Sequence, residues 1–336
     1  MSIAWNKICV IGAGSWGTAL AIQLARSGVT VSLWGRETDE MLDMQSRNEN
    51  VRYLPGIAFP DCLHPETDLD TALIGSDSVL VVTPSHAFQN VLELIKPHLD
   101  KTPGVAWASK GFEPGTGRML HEVAESMLGP DHPIAAISGP SFAKEVALDL
   151  PTAVTVASNK ESFASLWSET LHGGSFRTYT SHDLTGVELG GAVKNVLAIG
   201  TGLSDGMGLG DNARAALITR GLAEIMRLGA ALGADATTFT GLSGMGDLVL
   251  TCTGGLSRNR RFGLALGAGK TPQQALDEIN QVVEGARNAE EVVRLAQKLN
   301  VEMPISEQVY AIVSGKSTPA EGLKKLLQRQ PKAECE

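Results

Sequence analysis

The chain has 336 residues, enough for two domains of ~150 residues each. Hydrophobic residues make up 43% and charged residues 19%, so full-sized cores can be buried. The formal net charge of −9 argues against a nucleic-acid partner and against attraction to an anionic membrane surface, so any anionic ligand must be met by a few local cations.

No apolar run reaches the ~18 residues of a membrane span, and no stable membrane insertion is expected. The N-terminus runs into a glycine motif without a long apolar segment or cleavage site, which speaks against a signal peptide. Cys9, Cys62, Cys252 and Cys335 show neither a paired motif nor metal-like spacing. Reduced thiols in a cytoplasm, with no metal, are the expectation.

From residue 7 to about residue 180, valine- and isoleucine-rich runs alternate with helix-length patterns. The runs are "KICVIG", "VTVSLWG", "SVLVVTP", "GVAWASKG", "PIAAISGP" and "TAVTVAS"; "TALAIQLARSG", "FQNVLELIKPHL" and "GRMLHEVAESML" lie between them. Continuous apolar strands alternating with helices predict an α/β domain whose mainly parallel sheet is buried on both faces. Gly28 suits the position just past a helix end, and "FRTYTS" (176–181) is read as a last edge strand. After residue 183 the strand signal stops and helical spacing takes over. The expected division is therefore an α/β domain over 1–183 and an all-α domain over 184–336. Within the second, "GLSGMGDLVLTCTGGLSRNRR" reads as a glycine-rich loop, and the final "PKAECE" as a frayed tail.

Gly12, Gly14 and Gly17 form GxGxxG between a strand and a helix. That context points to dinucleotide binding: Gly12 for the tight turn, Gly14 for close approach of a pyrophosphate, Gly17 for helix–strand packing. The helix N-terminus would offer its N–H groups to the phosphates. At the end of the second strand, Trp34 and Gly35 stand where an NAD-binding acid is usual, followed by Arg36. Arginine can take a 2′-phosphate in bidentate fashion, which favours NADP(H), with NAD(H) the second option.

Lys110 closes the strand "GVAWASK" and so faces the crevice beyond the carboxyl edge of a sheet. Ser141, in "ISGPSFAKEVA", reads as a helix N-cap, a ligand group, or both. Lys194 sits mid-helix in "GGAVKNVLAIG" with no acid three or four residues away. It either snorkels to solvent or is held inside by a partner from elsewhere, for which Asp247 is the candidate. Ser257, Arg258, Asn259, Arg260 and Arg261 follow in succession and read as a phosphate grip or a solvated basic loop.

With these residues assembled, the chain closely resembles the bacterial NAD(P)-dependent glycerol-3-phosphate dehydrogenases over about residues 5–330. The carrying motifs are "GAGSWGTALA", "VVTPSHAF", "ASKGFEPGTG", "ISGPSFAKEVA", "GAVKNVLAIGTGLSDG", "GLSGMGDLVLTCTGGLSRNRRFG" and "VVEG". The resemblance implies reversible reduction of dihydroxyacetone phosphate to sn-glycerol 3-phosphate, a phospholipid precursor. It also implies a Rossmann domain joined to an all-α domain of the 6-phosphogluconate-dehydrogenase type, commonly in a dimer. By matching motifs, Ser15, Trp16, Arg36, Ala143, Val282 and Glu284 would contact the dinucleotide. Lys110 would lie near both cofactor and substrate. Gly139, Ser141, Asp247, Ser257, Arg258 and Asn259 would line the substrate site, with Arg258 also near the cofactor. Lys194 would be the proton donor and acceptor, and the glycines beside it would let substrate and nicotinamide come close. Trp16 is bulkier than the residue the family often has there.

Overall fold

Each apolar run read from the sequence forms a strand of one sheet in the computed structural model, which describes residues 5–101, 104–331 and 333. The strands are β1 (Lys7–Ile11), β2 (Thr30–Trp34), β3 (Leu63–Glu66), β4 (Ser78–Val81), β5 (Val105–Trp107), β6 (Ile134–Ser138), β7 (Thr152–Ser158) and β8 (Phe176–Ser181). Their order across the sheet is β3-β2-β1-β4-β5-β6-β7-β8. Neighbours run parallel except β6 and β7, which are antiparallel. Strand order reverses between β1 and β4, which opens a crevice beyond their carboxyl ends. β8 is the edge strand expected over 176–181. β3 was not foreseen: its sequence LHPE is short, contains proline and alternates buried with exposed residues, as an edge strand allows.

Helices α1 (Ser15–Arg26), α2 (Thr38–Arg47), α3 (Leu69–Leu73), α4 (Phe88–Ile95), α5 (Leu120–Leu128), α6 (Ala143–Ala147) and α7 (Glu161–Leu171) join these strands. Gly28 follows the end of α1 with φ +92°, as its position in the sequence suggested. Both faces of the sheet are covered, and β1 shows how: Ile8 and Val10 enter one core while Cys9 and Ile11 enter the other. Trp5 meets Trp167 edge-on at 4.9 Å in the first core, and Phe88 meets Trp107 at 5.3 Å in the second. Burial raises the Cys9 thiol to a pKa of about 12. Cys62 and Cys252 are likewise unbridged. Cys335 and the tail, except Pro331 and Ala333, lie outside the described residues.

The remaining helices are α8 (Leu184–Gly206), α9 (Gly210–Ala231), α10 (Ala236–Thr240), α11 (Asp247–Thr253), α12 (Arg258–Gly267), α13 (Pro272–Ile279), α14 (Glu284–Lys298), α15 (Pro304–Val313) and α16 (Pro319–Leu327). The glycine-rich stretch after α10 is not the loop expected of it. Leu242–Gly246 winds as a wide π-helical turn leading into α11. Its glycines serve contact: a Cβ on Gly244 would stand 2.2 Å from the Phe239 carbonyl oxygen.

Packing divides the chain into two compact units that differ from a single cut after residue 183. The sheet unit comprises residues up to Gly191 together with Gly233–Asp247; the helical unit comprises Ala192–Leu232 and Leu248 onward. Polar contacts inside the sheet unit explain its extra pieces. Glu188 of α8 accepts from the buried Trp107 indole (2.8 Å) and meets His121 Nδ1 (2.6 Å). Asp183 accepts from the Thr238 hydroxyl at 2.6 Å and the Asp235 amide at 3.0 Å.

In the helical unit, α8 and α12 are seamed by glycine. Cβ atoms on Gly202 and Gly206 would stand 2.1 and 2.3 Å from the carbonyls of Arg260 and Leu264. On Gly263 and Gly267 they would stand 2.0 and 2.4 Å from those of Ile199 and Leu203. Glu224 of α9 caps the start of α15, accepting from the amides of Ile305 (2.6 Å) and Ser306 (3.1 Å).

Candidate active site

In the sheet unit, the turn from β1 into α1 has the geometry of a phosphate cradle. Gly12 has φ +116°, and a Cβ there would lie 2.6 Å from the Val82 carbonyl oxygen. A Cβ on Gly17 would lie 1.8 Å from the Gly12 oxygen, whereas one on Gly14 would meet nothing within 4 Å. Two glycines are thus required by packing, and the third leaves open space at the start of α1. No acidic residue occupies the first turn of α1, and no side chain caps it. Its leading N–H groups, beginning with Ser15, therefore suit an anion. The residues present fit a dinucleotide pyrophosphate. Trp16 packs partly buried against the first core, and its indole nitrogen is buried with no hydrogen-bond partner. Arg36, just past β2, is 87% exposed and donates to Glu37 Oε1 from Nε (2.9 Å) and Nη2 (2.7 Å).

Further along the sheet edge, Lys110 follows β5 and donates from Nζ to Asp247 Oδ2 at 2.7 Å and to the Gly139 carbonyl at 3.3 Å. Asp247 is fully buried, which answers why a lone acid stands in an apolar stretch. Ser141 is not the N-cap of α6: that position is Phe142, and the Ser141 hydroxyl donates back to the Gly139 carbonyl at 2.9 Å. Ala143 opens α6. The glycines preceding Lys194 are filled by protein within this unit. A Cβ on Gly190 would lie 2.3 Å from the Ser243 carbonyl oxygen, and one on Gly191 would lie 2.8 Å from Ser138 Oγ and 3.5 Å from Lys110 Cγ. They bring a helix against backbone and the lysine stem.

In the helical unit, Lys194 is only 7% exposed, so the snorkelling alternative fails. Its Nζ donates to Thr251 Oγ1 at 2.9 Å. Thr251 escaped sequence reasoning, although it lies one turn after Asp247 on α11, on the same helix face. The expected substrate residues at the start of α12 divide by role. Ser257 is the N-cap, accepting from the Arg260 amide. Asn259 is buried between protein groups, donating to Asn195 Oδ1 at 2.8 Å and accepting from the Gly285 amide at 2.9 Å. Asn195 was also missed.

The three arginines do not act as one basic cluster. Arg260 is paired with Asp205 (2.6 and 3.0 Å), and Arg261 is exposed. Arg258 is the third, partly buried beside Glu284. Burial lowers its pKa and the charge of Glu284 opposes that shift, as befits a guanidinium held in partial shelter. Glu284 opens α14, and Val282 lies two residues before it, 38% exposed.

Two family models cover the chain in succession: the N-terminal part of NAD-dependent glycerol-3-phosphate dehydrogenase matches residues 7–164, and its C-terminal part matches residues 183–324. The chain belongs to this dehydrogenase family. A relative from Stenotrophomonas maltophilia, glycerol-3-phosphate dehydrogenase (NAD(P)+), is 56% identical over 334 residues, spanning 99% of this chain and 98% of its own. A relative of the same name from Xanthomonas oryzae is also 56% identical over 334 residues, with the same coverage. Among solved structures, glycerol-3-phosphate dehydrogenase from Coxiella burnetii is 50% identical, with a TM-score of 0.94, covering 97% of this chain and all of that one. Membership of the family makes this chain an NAD(P)-dependent oxidoreductase.

Proposed function

We propose that this dehydrogenase reversibly reduces dihydroxyacetone phosphate to sn-glycerol 3-phosphate for glycerophospholipid synthesis, with Lys194 as its proton donor and acceptor. The observation that carries this reading is a buried lysine within a chain matched end to end by the family.

When bound, a reduced nicotinamide supplies hydride to the substrate's C2. Charge then develops on the C2 oxygen, and an ammonium close by can neutralise it by giving a proton. Lys194, held by Thr251, is assigned that task, and in the reverse direction it takes the proton back. Lys110 is assigned to orient substrate and cofactor, its position set by Asp247 and the Gly139 carbonyl. Ser141, Ser257, Asn259 and Gly139 are assigned to the substrate site, where Ser257 and Asn259 act through the fold they maintain. Arg258 is assigned the phosphate. Gly12, Gly14, Ser15, Trp16, Gly17, Arg36, Ala143, Val282 and Glu284 are assigned to the dinucleotide. The exposed Arg36 favours the 2′-phosphate of NADP(H), with Glu37 as the internal partner it would exchange.

The remaining proposals are a cytoplasmic homodimer without a nucleic-acid partner. The dimer is carried over from the family. The net charge of −9 supports the lack of a nucleic-acid footprint. Among the described residues no helix is long and apolar enough to cross a membrane.

Initial rates test the reading directly. NADPH oxidation should be rapid with dihydroxyacetone phosphate and nearly absent with dihydroxyacetone; equal rates would remove the phosphate assignment. Lys194→Met should lower turnover by roughly 10²–10⁴-fold while dinucleotide binding is kept. Near-wild-type turnover would reject the proton-donor role.

A further inference from the structure

The helical unit contains a cavity of about 610 Å³ walled by α8, α9, α15 and α16. That volume falls within the range of small-molecule sites. Leu203, Leu217, Val309, Ile312 and Leu323 are among its apolar lining residues. None of the residues assigned to the dinucleotide or the substrate lines it.

Two features make it more than a packing gap. Ser204 lines the cavity at 3% exposure, and its hydroxyl is buried with no hydrogen-bond partner. The side-chain oxygen of Gln308, which also lines it, is in the same condition. Unsatisfied polar atoms in an apolar wall bear their full desolvation cost unless a ligand or water meets them. A hydroxyl donates, and an amide rotated by half a turn also donates, so both groups suit an oxygen-bearing ligand.

The second feature is charge. Arg220, Arg227 and Arg329 line the cavity, against the carboxylate of Glu224. Glu302 accepts from Arg329 at 2.6 Å and, through its carbonyl, from Arg227 at 3.0 Å. All three guanidinium groups line this face, on a chain of net charge −9. Burial also raises the pKa of Glu224 to about 7, which removes part of its negative charge near neutrality. An apolar wall bordered by guanidinium groups suits a ligand that is apolar over most of its surface and anionic at one end.

We propose that this cavity is a second binding site, for a single acyl chain ending in an oxyanion head. The chain would lie among the leucines and isoleucines, with its head oxygens toward Ser204, Gln308 and the arginines. The head is a carboxylate or a phosphate ester. The site stands apart from the proposed reaction and does not depend on it.

The test uses full-length protein and displacement of dansyl-undecanoate, read by fluorescence, below micellar concentrations. Palmitate and lysophosphatidate are the two competing anions, and an alkyltrimethylammonium of matched length is the control. One saturable site per chain, emptied by either anion and not by the cation, supports the proposal; which anion competes better identifies the head. Ala216→Trp, at an exposed α9 position that lines the cavity, should weaken binding at least about tenfold while circular dichroism and turnover are kept. Arg220→Glu should do the same for both anions. Absence of saturable binding, equal competition by the cation, or binding unchanged in Ala216→Trp would each overturn the proposal. So would sedimentation showing that Ala216→Trp dissociates a dimer while the wild type binds neither anion, since a second copy would then be the occupant.

Discussion

Glycine does opposite things in two regions of this molecule. At the start of α1, Gly14 borders open space, and a methyl group there would meet no protein atom within 4 Å. Along the α8–α12 seam, Gly202, Gly206, Gly263 and Gly267 border carbonyl groups of the facing helix, with no room for a methyl group. The first arrangement leaves open the space proposed above for the dinucleotide phosphates; the second removes space so that two helices meet backbone to backbone. That contact fixes the start of α12, with Ser257, Arg258 and Asn259, against the helix carrying Lys194 and Asn195. The same residue type therefore leaves space open in one place and closes it in the other.

The largest effect should come from the seam. Gly263→Ala puts a Cβ 2.0 Å from the Ile199 carbonyl oxygen, and overpacking of this kind should cost about 3 kcal/mol or more. Urea denaturation measures it, and a change below about 0.5 kcal/mol would show that the helices separate freely. Gly14→Ala should have the reverse profile. Its backbone (φ −75°, ψ −178°) suits alanine, so stability should hold while dinucleotide affinity falls about tenfold by calorimetric titration. Lost stability with unchanged affinity would erase the contrast between the two regions.

A smaller effect is expected in pH dependence, from the first turns of α8. Burial disfavours protonation of His121, but the hydrogen bond and charge of Glu188 outweigh it, and its pKa lies above the usual histidine value. The resulting stability is fully present below the ordinary histidine pKa and is lost as pH rises through the elevated one. Melting temperature against pH should show that decline in the wild type and not in His121→Gln. Parallel curves would remove the His121–Glu188 pair as its source.

The sheet was largely legible because buried parallel strands write themselves as unbroken Val/Ile runs. β3 did not, since an edge strand of four residues with proline has no such signature. The GxGxxG loop could be read from a local pattern of three residues. Lys110, Asp247 and Lys194 stood out as charges in apolar company. What stayed hidden was non-local pairing: that Asp247 meets Lys110 across 137 positions, or that Arg260 is taken by Asp205. The stretch from Gly241 to Gly246 misled because glycine was taken as a loop signal where it serves contact.

The extra pieces of the sheet unit bear on how such enzymes can be recombined. Residues 184–191 and 233–247 supply Glu188 to Trp107 and His121, and Asp247 to Lys110. A chimera joined after residue 183 would take those partners from another parent, leaving the buried Trp107 indole and the Lys110 ammonium to whatever the donor provides. Crossovers that carry both segments with the sheet respect the polar contacts of the unit. The unit of inheritance in this chain is therefore discontinuous, and a nucleotide-binding module cut as one uninterrupted stretch is incomplete.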